Sequence, residues 1–69
     1  MTTSDRITVA PGIAHGRAVI RGTRVPVTLV LGSLAGGMSI EDVQREYGLT
    51  REDVLAALSF AARLTSESL

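Results

Sequence analysis

Two stretches eleven residues apart repeat one helix-start pattern and leave the second half of this chain little conformational choice. Ser39-Ile40-Glu41-Asp42-Val43 and Thr50-Arg51-Glu52-Asp53-Val54 each set a hydroxyl residue ahead of two acids and a valine. The hydroxyl oxygen can accept from backbone N–H groups that a first helical turn leaves unsatisfied, and the acids favour the positive helix terminus. Asp stands where a capping box carries Glu or Gln, so the pattern alone does not dictate the reciprocal half of the box. Tyr47-Gly48-Leu49 lies between the two starts, with glycine as the stop of the first helix. Helices over 39–47 and 51–64 joined by a tight glycine bend have the spacing of a helix-turn-helix unit. Ile40, Val43 and Tyr47 share one face of the first. Val54, Leu55, Leu58, Ala61, Ala62 and Leu64 are read as the inward stripe of the second, with Leu49 dropping between them. Phe60 falls off that stripe, at the core edge or in a subunit contact, and residues 65–69 read as a frayed tail.

The first half is punctuated by turn residues. Ile7-Thr8-Val9-Ala10 alternates as a strand does and is stopped by Pro11-Gly12, with a second break at His15-Gly16. Arg17-Ala18-Val19-Ile20-Arg21 is a second short strand ended by Gly22-Thr23. The two make either a β-hairpin or separate edge strands, and a two-stranded unit needs packing partners to be stable. Pro26 suits the entry to a helix. Residues 27–35, long enough for a strand or a short helix, are read as a helix buried between its neighbours and ended by Gly36-Gly37. The expected fold is mainly α, a short N-terminal β segment (1–26) plus a three-helix helix-turn-helix core (27–64) and a tail, in one domain over 1–69.

Size limits what such a chain does. A domain of 69 residues buries only about 60% of the surface its unfolded chain exposes. There is no cysteine, so disulfides and thiolate metal sites are excluded; His15 alone cannot build a zinc site, and no cofactor is expected. Oligomerisation is the remaining way to add buried surface, and Ile7, Val9, Val19, Ile20 and Phe60 are the candidate dimer contacts. No apolar run approaches the roughly 20 residues that cross a bilayer. Met1-Thr2-Thr3-Ser4-Asp5 lacks the basic and apolar regions of a signal peptide, so the expected location is the cytoplasm.

Charge is neutral in sum and uneven in place. Residues 1–26 hold four arginines against Asp5, and residues 27–69 hold three arginines against six acids. A dipolar chain can present a basic surface to phosphate while remaining neutral overall. Every basic residue is arginine, suited to bidentate contact with phosphate or carboxylate, though arginine-only usage is equally what a GC-rich genome produces.

At residues 16–27 the sequence Gly16-Arg17-Ala18-Val19-Ile20-Arg21-Gly22-Thr23-Arg24-Val25-Pro26-Val27 resembles a family of short prokaryotic proteins labelled as a domain of unknown function. Its signature is G-K-P-V-I-x-G-T-R-[IV]-P-V. A second family element, G-x-S/T-x-E-[ED]-[IV], resembles Gly37-Met38-Ser39-Ile40-Glu41-Asp42-Val43. A third, Y-P-x-L-T, resembles Tyr47-Gly48-Leu49-Thr50, and the similarity runs from about Ile7 to Phe60. The resemblance implies a homeodomain-like, dimeric helix-turn-helix protein whose β segment helps to join subunits. It also implies an antitoxin encoded beside a PIN-like nuclease toxin. Ala18 and Gly48 replace prolines of the family pattern, and the turn is one residue shorter.

In a helix-turn-helix protein the second helix enters the major groove, its N-terminal residues near base edges. Arg51 is placed for that role, with Arg45 and Arg63 on the helices and Arg21 and Arg24 on the β segment as further candidate DNA contacts. Glu52 and Asp53 at the same helix start oppose phosphate, and solvated surface positions explain Arg45 and Arg51 equally well. Gly22-Thr23-Arg24 lacks the glycines and lysine of a phosphate loop and is read as a tight turn, Thr23 capping backbone groups and Arg24 anchoring to an acid. No nucleophile, histidine and acid share a spacing that supports catalysis, and a pocket of about 300 Å³ is hard to fit among three short helices. The chain is expected not to be an enzyme. The function expected is an antitoxin that binds a nuclease and represses its own operon. The alternatives are a stand-alone transcriptional regulator, a ribbon-helix-helix repressor (against which the third helix counts), and a protein-interaction module that never touches DNA.

Overall fold

The computed structural model describes residues 6–9 and 18–66 of the chain. Strand β1 (Ile7–Val9) pairs antiparallel with β2 (Ala18–Ile20), resolving the hairpin-or-separate alternative in favour of paired strands. Ile7 stands opposite Ile20, and Val9 opposite Ala18. Just beyond the paired strands, the Arg21 N–H donates to the Arg6 carbonyl at 2.8 Å. Ala10, the two expected breaks at 11–12 and 15–16, and Arg17 lie outside the described residues.

After β2 the chain reverses in a turn built by the sequence Gly22-Thr23. The Thr23 N–H donates to the Ile20 carbonyl at 3.0 Å, and Gly22 has φ +79°, the left-handed value a type II turn requires at its third residue. The Thr23 hydroxyl donates to the Ile20 carbonyl (2.7 Å) and accepts from the Val25 N–H (3.0 Å). Thr23 therefore clamps the turn from both sides, as read from the sequence. Arg24, read as an anchor to an acid, is exposed and has no ion pair among the described residues. Pro26 bridges to Val19 and caps helix α1 (Val27–Ala35).

Helices α2 (Ile40–Tyr47) and α3 (Arg51–Ser66) follow. Helix α1 ends with Gly37 N–H donating to Leu34 and Met38 N–H to Ser33, the two closing bonds of a Schellman motif. Helix α2 begins at Ser39, whose Oγ accepts from the Asp42 N–H at 3.0 Å. It ends at Gly48 (φ +68°), and the Leu49 N–H closes on the Gln44 carbonyl. The three helices and the hairpin enclose an aliphatic core of Ile7, Ile20, Val27, Val30, Val43, Leu49, Val54, Ala56 and Ala57. The Ser33 and Tyr47 hydroxyls, 2.9 Å apart, link α1 to α2 beside it.

Two expectations are corrected. Helix α1 is not sheathed by its neighbours: only Val27 and Val30 are buried, and Leu29 is 42% exposed. Two other helices and a pair of three-residue strands are too little material to surround it. The inward face of α3 is also different from the stripe read in the sequence. Leu55 and Leu58 are 42% and 39% exposed, Leu64 is 59% exposed and Ala62 is exposed. Val54 is buried as expected, but its buried companions are Ala56 and Ala57, with Phe60 packed at the core edge. The helix carries two interleaved apolar stripes, and the one rich in alanine faces inward because it lets α3 approach its neighbours closely. Helix α3 also continues two residues past Leu64, Thr65 Oγ1 bonding back to the carbonyls of Ala61 and Ala62.

Candidate functional site

The start of α3 is the most constructed surface of the molecule. The Asp53 N–H donates to Thr50 Oγ1, and Asp53 Oδ2 accepts from the Thr50 N–H, each at 3.1 Å. The capping box is thus complete and reciprocal, with Asp serving where Glu or Gln is usual. The other carboxylate oxygen, Oδ1, accepts from Arg6 Nη1 at 3.1 Å. Burial disfavours the charged carboxylate of Asp53, but the hydrogen bonds from Thr50 and Arg6 and the Arg6 charge outweigh it and hold its pKa below the ordinary value. The identical pattern at α2 resolves differently. There the Asp42 carboxylate turns to Arg45, three residues on, and caps nothing.

Asp53 is therefore folded inward, 14% exposed and neutralised. Half of the electrostatic objection to phosphate at this helix start is removed, and only Glu52 projects there. Arg51, the first residue of α3, is exposed and without an ion pair among the described residues. Leu55, Leu58 and Ala62 continue from it along the outer face.

The other candidates scatter. Arg21 and Arg24 sit exposed at the turn after β2, Arg45 is engaged by Asp42, and Arg63 lies in the last turn of α3, about 18 Å along the axis from Arg51. Arg17 lies outside the described residues. Sequence reasoning missed Arg6 and the inward role of Asp53, which are 47 residues apart. Of the candidate dimer contacts, Ile7, Val19 and Ile20 are buried within the chain itself. Val9 and Phe60 instead line a groove with Ala18, Val27, Thr28, Leu31, Ala61 and Leu64. The groove holds about 360 Å³, so the expectation that the chain has no room for a pocket is not met. Among the described residues its lining carries no titratable side chain. Among the described residues no group of His, Asp or Glu is gathered to hold a metal ion, and no helix is long and apolar enough to cross a membrane.

With this geometry in hand the chain can be compared with known proteins. The family described as Protein of unknown function (DUF433) matches residues 7–61. The chain belongs to the DUF433 family. A crystal structure of a DUF433 member from Anabaena variabilis is 32% identical, with a TM-score of 0.82 over 90% of this chain. The crystal structure of Rv2018 from Mycobacterium tuberculosis is 31% identical, with a TM-score of 0.72 over 83%. This DUF433 chain spans 62% of the first relative and 27% of the second. No curated protein matches it.

Proposed function

We propose that this chain is a non-enzymatic antitoxin with a homeodomain-like helix-turn-helix core, acting in the cytoplasm as a homodimer. It neutralises a PIN-like nuclease by direct binding and binds its own operator DNA. The observation that carries this reading is the outer face of α3, where Arg51 leads into Leu55 and Leu58, 42% and 39% exposed. Large apolar side chains held in water in a chain so short of core favour a macromolecular partner, and an arginine at the start of the same helix favours DNA. The groove beside it, apolar and without a general acid or base among the described residues that line it, supports binding rather than catalysis. Val9 and Phe60 in that groove are the available contacts for a second copy.

Leu55 and Leu58 also support a second reading, an interaction module that binds the nuclease and never touches DNA, because a groove-reading helix has little use for leucine. The neighbouring nuclease gene, if present, is expressed with and without this chain and RNA cleavage is measured. Gel shifts on the upstream DNA are run at low and high salt. Suppressed cleavage with an Arg51-dependent shift supports the antitoxin–repressor. Suppressed cleavage with no shift at low salt leaves the interaction module, and unsuppressed cleavage ends both.

A further inference from the structure

Two arginines meet where the strand pairing ends: the Arg21 N–H donates to the Arg6 carbonyl at 2.8 Å, one residue beyond the Ile7–Ile20 pair. Like charges brought close repel, so the arrangement needs negative charge nearby. Among the described residues Asp53 supplies it to Arg6, through a 3.1 Å bond. Arg21 has no ion pair among the described residues, nor does Arg24, which flanks the same Gly22-Thr23 turn. Both are exposed. The turn that carries them is rigidly made, since Thr23 fastens both of its ends. The acid at the adjoining helix start that remains exposed is Glu52.

We propose that Arg21 and Arg24, steadied by the Arg6–Asp53 pair, form a phosphodiester clamp that grips the nucleic-acid backbone independently of base sequence. Two exposed arginines on a fixed turn, without ion pairs among the described residues, match a repeating array of phosphates. Phosphate contacts of this kind set the register of a protein on a duplex without reading bases. Arg6 is a positioning residue: its guanidinium is engaged with Asp53, and it ties the hairpin to the start of α3. The clamp rests on the DNA-binding arm of the proposed function and adds a second contact surface to the groove-facing side of α3.

The test measures affinity for a mixed-sequence DNA duplex across a salt series with the full chain and with an Arg21→Ala/Arg24→Ala variant, whose fold is checked by circular dichroism. The double variant is expected to lower the slope of log affinity against log salt by about one for each arginine lost. The loss should be uniform across duplex sequences. A wild-type chain that binds no duplex at low salt would overturn both the DNA arm and the clamp. A wild-type chain that binds while the double variant keeps the same slope would overturn the clamp alone. Equal affinity of the wild type for poly-glutamate would overturn it in favour of an acidic protein partner.

Discussion

Asp53 serves two structures with one carboxylate, closing the cap of α3 with Oδ2 and holding the hairpin through Arg6 with Oδ1. Removing it by Asp53→Ala is expected to lower stability by about 1–2 kcal/mol, since caps contribute about 1 kcal/mol and the pair adds a smaller share. Urea midpoints check this. Because its folded pKa is depressed, the stability it contributes is fully present above the unfolded value of about 4 and is lost as pH falls through the lower folded value. The stability gap between wild type and Asp53→Ala should thus be constant near neutral pH and shrink below about pH 4. A gap that widens in acid would contradict the assignment. Gly48 makes a different kind of test. A Cβ there would meet open space, yet φ is +68°, so Gly48→Ala is expected to cost about 1 kcal/mol through backbone conformation alone. Gly48→Asn should cost less.

At the scale of elements, α3 decides the packing. Its inward stripe pairs Val54 with Ala56 and Ala57, small residues that allow close approach, and so Ala57→Leu is expected to overpack and cost about 1–3 kcal/mol. Val54→Ala should lose about 2 kcal/mol from two buried methyls and the space they leave. Leu55→Ala and Leu58→Ala, on the outer face, should change stability by less than about 1 kcal/mol while weakening nuclease binding. Thermal unfolding and a nuclease-inhibition assay read the two effects separately. If the leucine variants unfold like Val54→Ala, the outer face is structural rather than functional. The link between α1 and α2 is one hydroxyl pair, and Tyr47→Phe should cost about 1 kcal/mol by leaving Ser33 without its partner.

Across the described residues the strand pair lies alongside α3 and differs in character along its length. Beside the Gly22-Thr23 turn it carries arginines and meets the start of α3 through Arg6 and Asp53. Val9 and Ala18, at its other limit, line the apolar groove with Phe60 and Leu64. One short chain therefore offers a charged surface and an apolar one at separate ends of one helix, an arrangement suited to holding two partners at once. Val9→Glu and Leu64→Glu replace side chains already 61% and 59% exposed and should leave folding intact. They are expected to abolish the proposed homodimer in sedimentation, while salt-dependent duplex binding per chain keeps its slope. A wild-type chain that is a stable monomer at micromolar concentration removes the dimer.

The sequence by itself determined what is local. Hydroxyl caps at Ser39 and Thr50, glycine stops at Gly37 and Gly48, and the Gly22-Thr23 turn act over four or five residues, so three helices and two strands were legible with nearly their observed limits. Tertiary structure alone decided which apolar stripe of α3 faces inward, which of two identical caps closes on itself, and that Arg6 finds Asp53. These depend on how closely separate elements approach and on which charge arrives beside which. A helical period cannot choose between leucines and alanines of equal spacing, and no local pattern announces a partner 47 residues away.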